Sequence, residues 1–344
     1  MQDQRVEDGK EGAIALILEK DQRTHTSGGA QASPPPKGIY VPLPTLLAKE
    51  GTSAHNAATP PLDLETQTAH SLFLVKGGIK GLVSLGSAGE AIFLRSEERK
   101  EWIVSQRKAL DDERYKDRPI IAGTATQQID ATLQLVKESK EDGAVYAMVL
   151  RPGYFAPATR QEGIRKWVEA VAYRSASPTT FPSYPQHFEK LAAHPQIVGT
   201  KPSHGIIDDQ TLIAANPRID REHFYVFTRL GQELLPVLTN GGVAAIDGLA
   251  GVFPRIVARL FRIYNECAAR GTTKNDIDEM RLLQYRICEA EKLVAAWGVV
   301  GIKEALGARL MIVTSRSILW PVRRPTIFVV LPAPFGIALE WPLW

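Results

Sequence analysis

Cysteine is nearly absent, with Cys267 and Cys288 the only two among 344 residues. Two thiols exclude a disulfide framework and a cysteine-rich zinc site, and they suit a reducing compartment. The seven histidines form no ligand cluster either, so no metal is expected. Charge of one sign is also lacking: 41 basic and 38 acidic side chains leave +3, too little to imply a nucleic-acid partner. That surplus lies in residues 307–344, where Arg309, Arg316, Arg323 and Arg324 stand against Glu340 alone. No apolar run reaches the ~20 residues of a membrane span. The nearest, residues 325–339, is broken by Pro325, Pro332 and Pro334. Asp3, Glu7, Asp8 and Glu11 precede the first apolar run, unlike the basic start of a secretory signal or an acid-poor mitochondrial presequence. The expectation is a soluble cytoplasmic protein with no nucleic-acid or membrane partner.

Apolar residues at 44% and charged residues at 23% are ordinary globular values. Residues 1–37 are polar, lack periodicity and end in Ser33-Pro34-Pro35-Pro36, which reads as a flexible lead with a short stiff end. From Gly38, short apolar runs alternate with stretches of helical period. Strands are expected at 39–43, 79–85, 119–122, 145–150, 197–200, 224–227 and 243–246. Helices are expected at 63–75, from an N-cap at Ser96, and at 128–141, 161–173, 254–270 and 276–296. This alternation implies parallel strands with right-handed crossovers. No Gly-x-Gly-x-x-Gly follows any strand, which disfavours a dinucleotide fold. The expected architecture is α/β: a (β/α)8 TIM barrel over 38–252, C-terminal helices over 253–306, and an atypical Pro/Trp-rich tail over 307–344.

Barrel chemistry lies at the C-terminal ends of the strands. The run ending at Leu85 enters Gly86-Ser87-Ala88-Gly89-Glu90. Such a turn is either an ordinary connection or a carboxylate cradle built from backbone N–H groups and the Ser87 hydroxyl. Ile197-Val198-Gly199-Thr200 ends at Lys201. A lysine there either snorkels to solvent or keeps its stem inside, where desolvation makes the neutral amine a nucleophile for Schiff-base chemistry. Tyr154, in Arg151-Pro152-Gly153-Tyr154-Phe155, is either a proton relay at the barrel mouth or loop packing. Ile246-Asp247-Gly248-Leu249, at the exit of the last strand, is expected to line the pocket floor and rim.

In this order, the motifs Gly86-Ser87-Ala88-Gly89-Glu90, Ile120-Ile121-Ala122-Gly123, Arg151-Pro152-Gly153-Tyr154-Phe155, Ile197-Val198-Gly199-Thr200-Lys201, Ala245-Ile246-Asp247-Gly248 and Gly301-Ile302-Lys303-Glu304-Ala305 resemble one family. It is the dihydrodipicolinate synthase / N-acetylneuraminate lyase family of class I aldolases. The resemblance implies a carbon–carbon lyase on a barrel, commonly tetrameric, needing no metal or organic cofactor. Lys201 looks like the Schiff-base lysine that attacks pyruvate or a 2-keto acid. Ser87 and Ala88 match the carboxylate-gripping positions, Tyr154 matches the second tyrosine of the proton relay, and Ile246 matches a residue packed on the keto acid. Lys201-Pro202-Ser203-His204-Gly205 looks like fungal members that cleave 4-hydroxy-2-oxoglutarate or 2-keto-3-deoxy sugar acids. Small-molecule keto acid and aldehyde are thus the implied partners. Dihydrodipicolinate synthase-like activity is the alternative within the family. Lys303 is the competing lysine, expected at a helix end or on the surface.

The resemblance breaks in two places. The family's fifth strand ends in Tyr-Asn-x-Pro, but the corresponding stretch has Tyr173 at the end of a helical run and then Pro178, Pro182 and Tyr184-Pro185. Prolines oppose a central strand, so the fifth strand is expected to be missing or degenerate, with Tyr173 or Tyr184 as the relay tyrosine or neither. The tail after Leu306 has lost the helical period that the family keeps. A frameshifted or mis-spliced reading frame accounts for both departures. The competing account is a barrel that has lost its proton relay and with it turnover.

Overall fold

The computed structural model describes residues 16–17, 31–48, 60–124, 126–154, 159–175, 185–310, 329–330 and 338–339. Seven short strands form its centre: β1 (Ile39–Pro42), β2 (Gly81–Ser84), β3 (Ile120–Thr124), β4 (Tyr146–Val149), β5 (Gly199–Thr200), β6 (Tyr225–Thr228) and β7 (Ala244–Ile246). All pair in parallel, in the spatial order β4-β3-β2-β1-β7-β6-β5. Leu16–Ile17 runs antiparallel along the outer edge of β4, with Leu16 opposite Ala147.

The intervening helices are α1 (Leu64–Lys76), α2 (Ser96–Asp112), α3 (Ile129–Glu141), α4 (Gln161–Ser175), α5 (Pro185–Ala192), α6 (Ile207–Ala214) and α7 (Leu234–Thr239). After β7 come α8 (Pro254–Arg270) and α9 (Lys274–Leu310). A curled sheet of seven parallel strands interleaved with helices is consistent with the expected (β/α)8 barrel.

The strands are apolar because both of their faces are buried, as parallel sheets under helices require. Successive side chains point to opposite faces, and the core divides accordingly. Tyr40, Val83, Ile121, Met148, Phe227 and Ile246 pack together inside the curl. Ile39, Val41, Leu82, Ile120 and Val149 pack outward with helix residues such as Leu74, Trp102 and Val136. Gly81 leaves room for the inward Tyr40 ring, since a Cβ there would lie 2.4 Å from it.

Several expectations change. Residues 31–37, read as part of a flexible lead, dock instead: Ala32 is buried, and its N–H donates to the Pro195 carbonyl at 3.0 Å. The Tyr40 hydroxyl donates to the Pro36 carbonyl at 2.6 Å. Ser96 is the first residue of α2 rather than its N-cap. Arg95 caps it, its N–H donating to Glu98 Oε2 at 2.9 Å, so the acid of the first turn satisfies the entry. The last helix passes position 296 and reaches Leu310, kinked at Gly298, where φ is 53°. Among the described residues no strand lies between β4 and β5, only α4 and α5. Tyr184 lies outside the described residues.

Candidate active site

The C-terminal ends of β2, β4, β5, β6 and β7 bring the candidate residues to one end of the barrel. Lys201 follows β5 directly and is 8% exposed. Its pKa is lowered to about 7, first by burial, then by the Arg229 guanidinium, with the Asp247 carboxylate opposing both. The amine is therefore substantially neutral near pH 7. Arg229, at the exit of β6, donates from Nη1 to the Ser203 carbonyl at 2.6 Å, which holds its charge beside the Lys201 turn.

The turn after β2 is tightly specified. Leu85 has φ 59° and Glu90 φ 52°, a left-handed conformation that side chains other than glycine rarely adopt. Gly123 on β3 permits it, because a Cβ there would lie 2.3 Å from the Leu85 carbonyl oxygen. The Gly89 N–H closes on the Gly86 carbonyl at 3.0 Å, and the Thr45 hydroxyl donates to the Gly89 carbonyl at 2.6 Å. Ser87 is exposed and Ala88 half-buried on this turn.

Lys303 corrects the sequence reading. It lies within α9, 2% exposed, and its Nζ donates to Glu90 Oε2 at 2.5 Å. Burial lowers its pKa and Glu90 opposes that. A charge inside a helix survives burial by pairing, and the partner here comes from the β2 turn. Lys303 thus anchors that turn rather than competing with Lys201.

Ile246 is fully buried at the end of β7, inside the barrel. Tyr154 follows β4 with its side chain 79% exposed, and its N–H donates to Gln127 Oε1 at 2.7 Å. Tyr173 sits in the last turn of α4, as its helical run predicts, and is 82% exposed. That placement removes it from the candidate site.

Sequence reasoning missed Arg229 and Glu291. Glu291 belongs to α9, is 1% exposed, and accepts from the Gly231 N–H at 2.9 Å. The signal was available, since Glu291 interrupts the stripe Met280, Ile287, Ala290, Val294 that packs on the core. An acid on an apolar helix face marks a buried polar contact.

Among the described residues no group of His, Cys, Asp and Glu could hold a metal ion, and no helix is long and apolar enough to cross a membrane. Lys201 is a buried amine of lowered pKa beside the Arg229 cation and the Asp247 carboxyl, an arrangement suited to nucleophilic attack on a carbonyl.

The dihydrodipicolinate synthetase family model matches residues 53–289. L-threo-3-deoxy-hexylosonate aldolase of Aspergillus niger is 29% identical over 300 residues, covering 78% of this chain and 85% of that protein. The Emericella nidulans protein named probable 4-hydroxy-2-oxoglutarate aldolase, mitochondrial, is 29% identical over 279 residues, covering 78% and 84%. A crystal structure of a dihydrodipicolinate synthase family protein from Coccidioides immitis superposes with a TM-score of 0.67 at 25% identity, covering 86% of this chain and 92% of that one. The expected family and the aldolase reading agree with these relatives. The expectation of a cytoplasmic protein is overturned, because the Emericella relative is named as mitochondrial. The family match spans well over half of the chain, which belongs to the dihydrodipicolinate synthetase family.

Proposed function

We propose that this protein is a class I aldolase that cleaves or forms a 2-keto acid with pyruvate as one partner, the substrate being 4-hydroxy-2-oxoglutarate or a 2-keto-3-deoxy sugar acid. The observation that carries this reading is Lys201: a lysine at a barrel strand exit, buried, with its pKa lowered to about 7. The names of the Aspergillus and Emericella relatives support the substrate class.

The neutral Lys201 amine attacks the C2 carbonyl, and water leaves as the imine forms. Protonated, the imine accepts the electron pair of the breaking C3–C4 bond while the C4 hydroxyl loses its proton. An aldehyde departs, the enamine takes a proton at C3, and hydrolysis returns pyruvate and the free amine. Ser87 and the N–H groups around Ala88 grip the C1 carboxylate, Ile246 packs on the keto acid, and Tyr154 serves the proton relay. No metal or organic cofactor takes part.

The barrel spans 38–252 with its fifth strand lost or degenerate, and the helical extension follows. The active form is a homo-oligomer, and the compartment is that of the Emericella relative.

The test is borohydride reduction in the presence of pyruvate, followed by mass spectrometry of the Lys201 peptide. A reduced pyruvate adduct on Lys201 is the expected result. Folded protein carrying no adduct there sinks the aldolase reading. An adduct without turnover of 4-hydroxy-2-oxoglutarate or 2-keto-3-deoxy acids assigns the lesion to the proton relay.

A further inference from the structure

Two carboxyl groups meet behind Lys201, brought together from separate parts of the chain. Asp247 directly follows β7 and is fully buried; Glu291 comes from α9 and is 1% exposed. They converge on Gly231, where a Cβ would lie 2.8 Å from Asp247 Oδ2 and 3.1 Å from Glu291 Oε1. The two side chains lie close enough that the Asp247 charge raises the Glu291 pKa. Two carboxylates converging on one point out of water oppose each other's ionisation.

The backbone decides which group keeps the charge. Asp247 accepts two N–H donors, from Leu249 to Oδ1 at 3.1 Å and from Ala250 to Oδ2 at 3.2 Å. Glu291 accepts one, from Gly231 to Oε1, and its Oε2 is buried with no hydrogen-bond partner. Donors favour the charged form, so Asp247 is the anion and Glu291 the acid. Burial and the Asp247 carboxylate both push the Glu291 pKa well up.

The other charged groups facing the pair are Lys201 from β5 and Arg229 from the β6 exit. From β1 it meets only backbone, the Asp247 N–H donating to the Tyr40 carbonyl at 2.9 Å. Nearby Glu233 is engaged separately, accepting from Gln210 Nε2 at 2.7 Å and the Thr228 hydroxyl at 2.8 Å. The pair therefore presents one net negative charge toward Lys201, opposite the Arg229 cation.

We propose that Asp247 and Glu291, sharing one proton, form a positioning pair that supplies a single fixed anion to the Lys201 imine. This inference rests on the Schiff-base reading above and deepens it. Lys201 begins neutral and becomes cationic as the protonated imine forms, so a preorganised anion favours the intermediate over the free amine. Glu291 keeps that anion single and oriented. With both groups ionised the site would overcharge, and with both protonated the imine would lose its counter-charge.

The experiment compares Asp247→Asn and Glu291→Gln with the parent protein, measuring borohydride-trapped pyruvate on Lys201 across pH, with thermal unfolding as control. Glu291→Gln leaves the Asp247 anion in place, so its trapping should keep the parent's acid limb. Asp247→Asn removes the anion, so the acid limb should move to lower pH, and the adduct at fixed pyruvate should fall about tenfold, the size of a one-unit change in pKa. The parent should also show a protonated-carboxyl C=O band in the infrared at neutral pH that Glu291→Gln lacks. A folded Asp247→Asn with the parent's limb and yield overturns the proposal, as does a Glu291→Gln that shifts as far. If Asp247→Asn does not fold, the infrared band decides, its absence counting against the pair. No adduct on the parent overturns the aldolase reading and this proposal together, whereas a trapped parent with unmoved variants overturns only the pair.

Discussion

The Nζ of Lys303 lies 2.5 Å from Oε2 of Glu90, and both side chains are 1% exposed. This contact joins the last long helix to the turn that carries Ser87. Glu90 is held at φ 52°, and strained backbone of this kind persists only where its surroundings over-determine it. The buried ion pair provides that constraint from outside the barrel. The C-terminal helix thus shapes the mouth at two points, through Lys303 at the β2 turn and through Glu291 at the β7 exit.

Lys303→Met should destabilise the fold by about 3–5 kcal/mol, because removing one partner leaves Glu90 buried and uncompensated. Adding Glu90→Gln to that variant should recover part of the loss, since neither charge then remains. Urea unfolding of the parent, both single variants and the double variant measures the coupling. Additive losses would mean that the contact carries no shared energy.

How far the sequence revealed this site depended on how local each signal was. Lys201 was legible because an apolar strand ends on it, and strand ends are where barrel chemistry lies. The seven strands were legible because apolar runs separated by amphipathic stretches have few other uses. Lys303 was misread because a lysine within a helix ordinarily faces water; only the fold shows that Glu90 lies opposite. Glu291 was passed over although it interrupts an apolar helix face, because Asp247, just after β7, is distant in the chain. Tyr173 was legible as the end of a helix, and the fold leaves it exposed there.

Formation of the Lys201 adduct should rise with pH through about 7, because only the neutral amine attacks and burial lowers its pKa to that region. Arg229 contributes to that lowering. Arg229→Gln should therefore move the rise to higher pH, the direction opposite to Asp247→Asn. The rate of borohydride trapping between pH 5 and 9 reads both displacements. An unmoved profile in Arg229→Gln would show that its charge does not reach the amine.

Gly123→Ala should disturb the β2 turn without touching Lys201. Its Cβ would meet the Leu85 carbonyl oxygen at 2.3 Å and the Leu85 carbonyl carbon at 2.7 Å, backbone atoms that cannot swing aside. The cost should be about 1–3 kcal/mol, as for overpacking elsewhere. If the turn grips the substrate carboxylate, KM for the keto acid should rise while trapping at saturating pyruvate persists. An unchanged KM would separate the turn from substrate binding.

Burying Lys201 costs the fold stability that depends on pH. The pKa of Lys201 is about 7 in the folded protein, against 10.5 for a solvated lysine. Between those values the unfolded chain binds more protons, so this group makes stability rise with pH across that window. Below about 7 the lysine is charged in both states and the full desolvation penalty is present; above about 10.5 it is gone. Lys201→Met removes the ionisable group and fills similar space. At about 1.4 kcal/mol per pKa unit, the variant should be a few kcal/mol more stable than the parent at pH 6. The difference should shrink steadily toward pH 10, while trapping is abolished. Denaturant unfolding at pH 6, 8 and 10 measures this; a gap that does not close with rising pH would mean that Lys201 is not buried in its charged form.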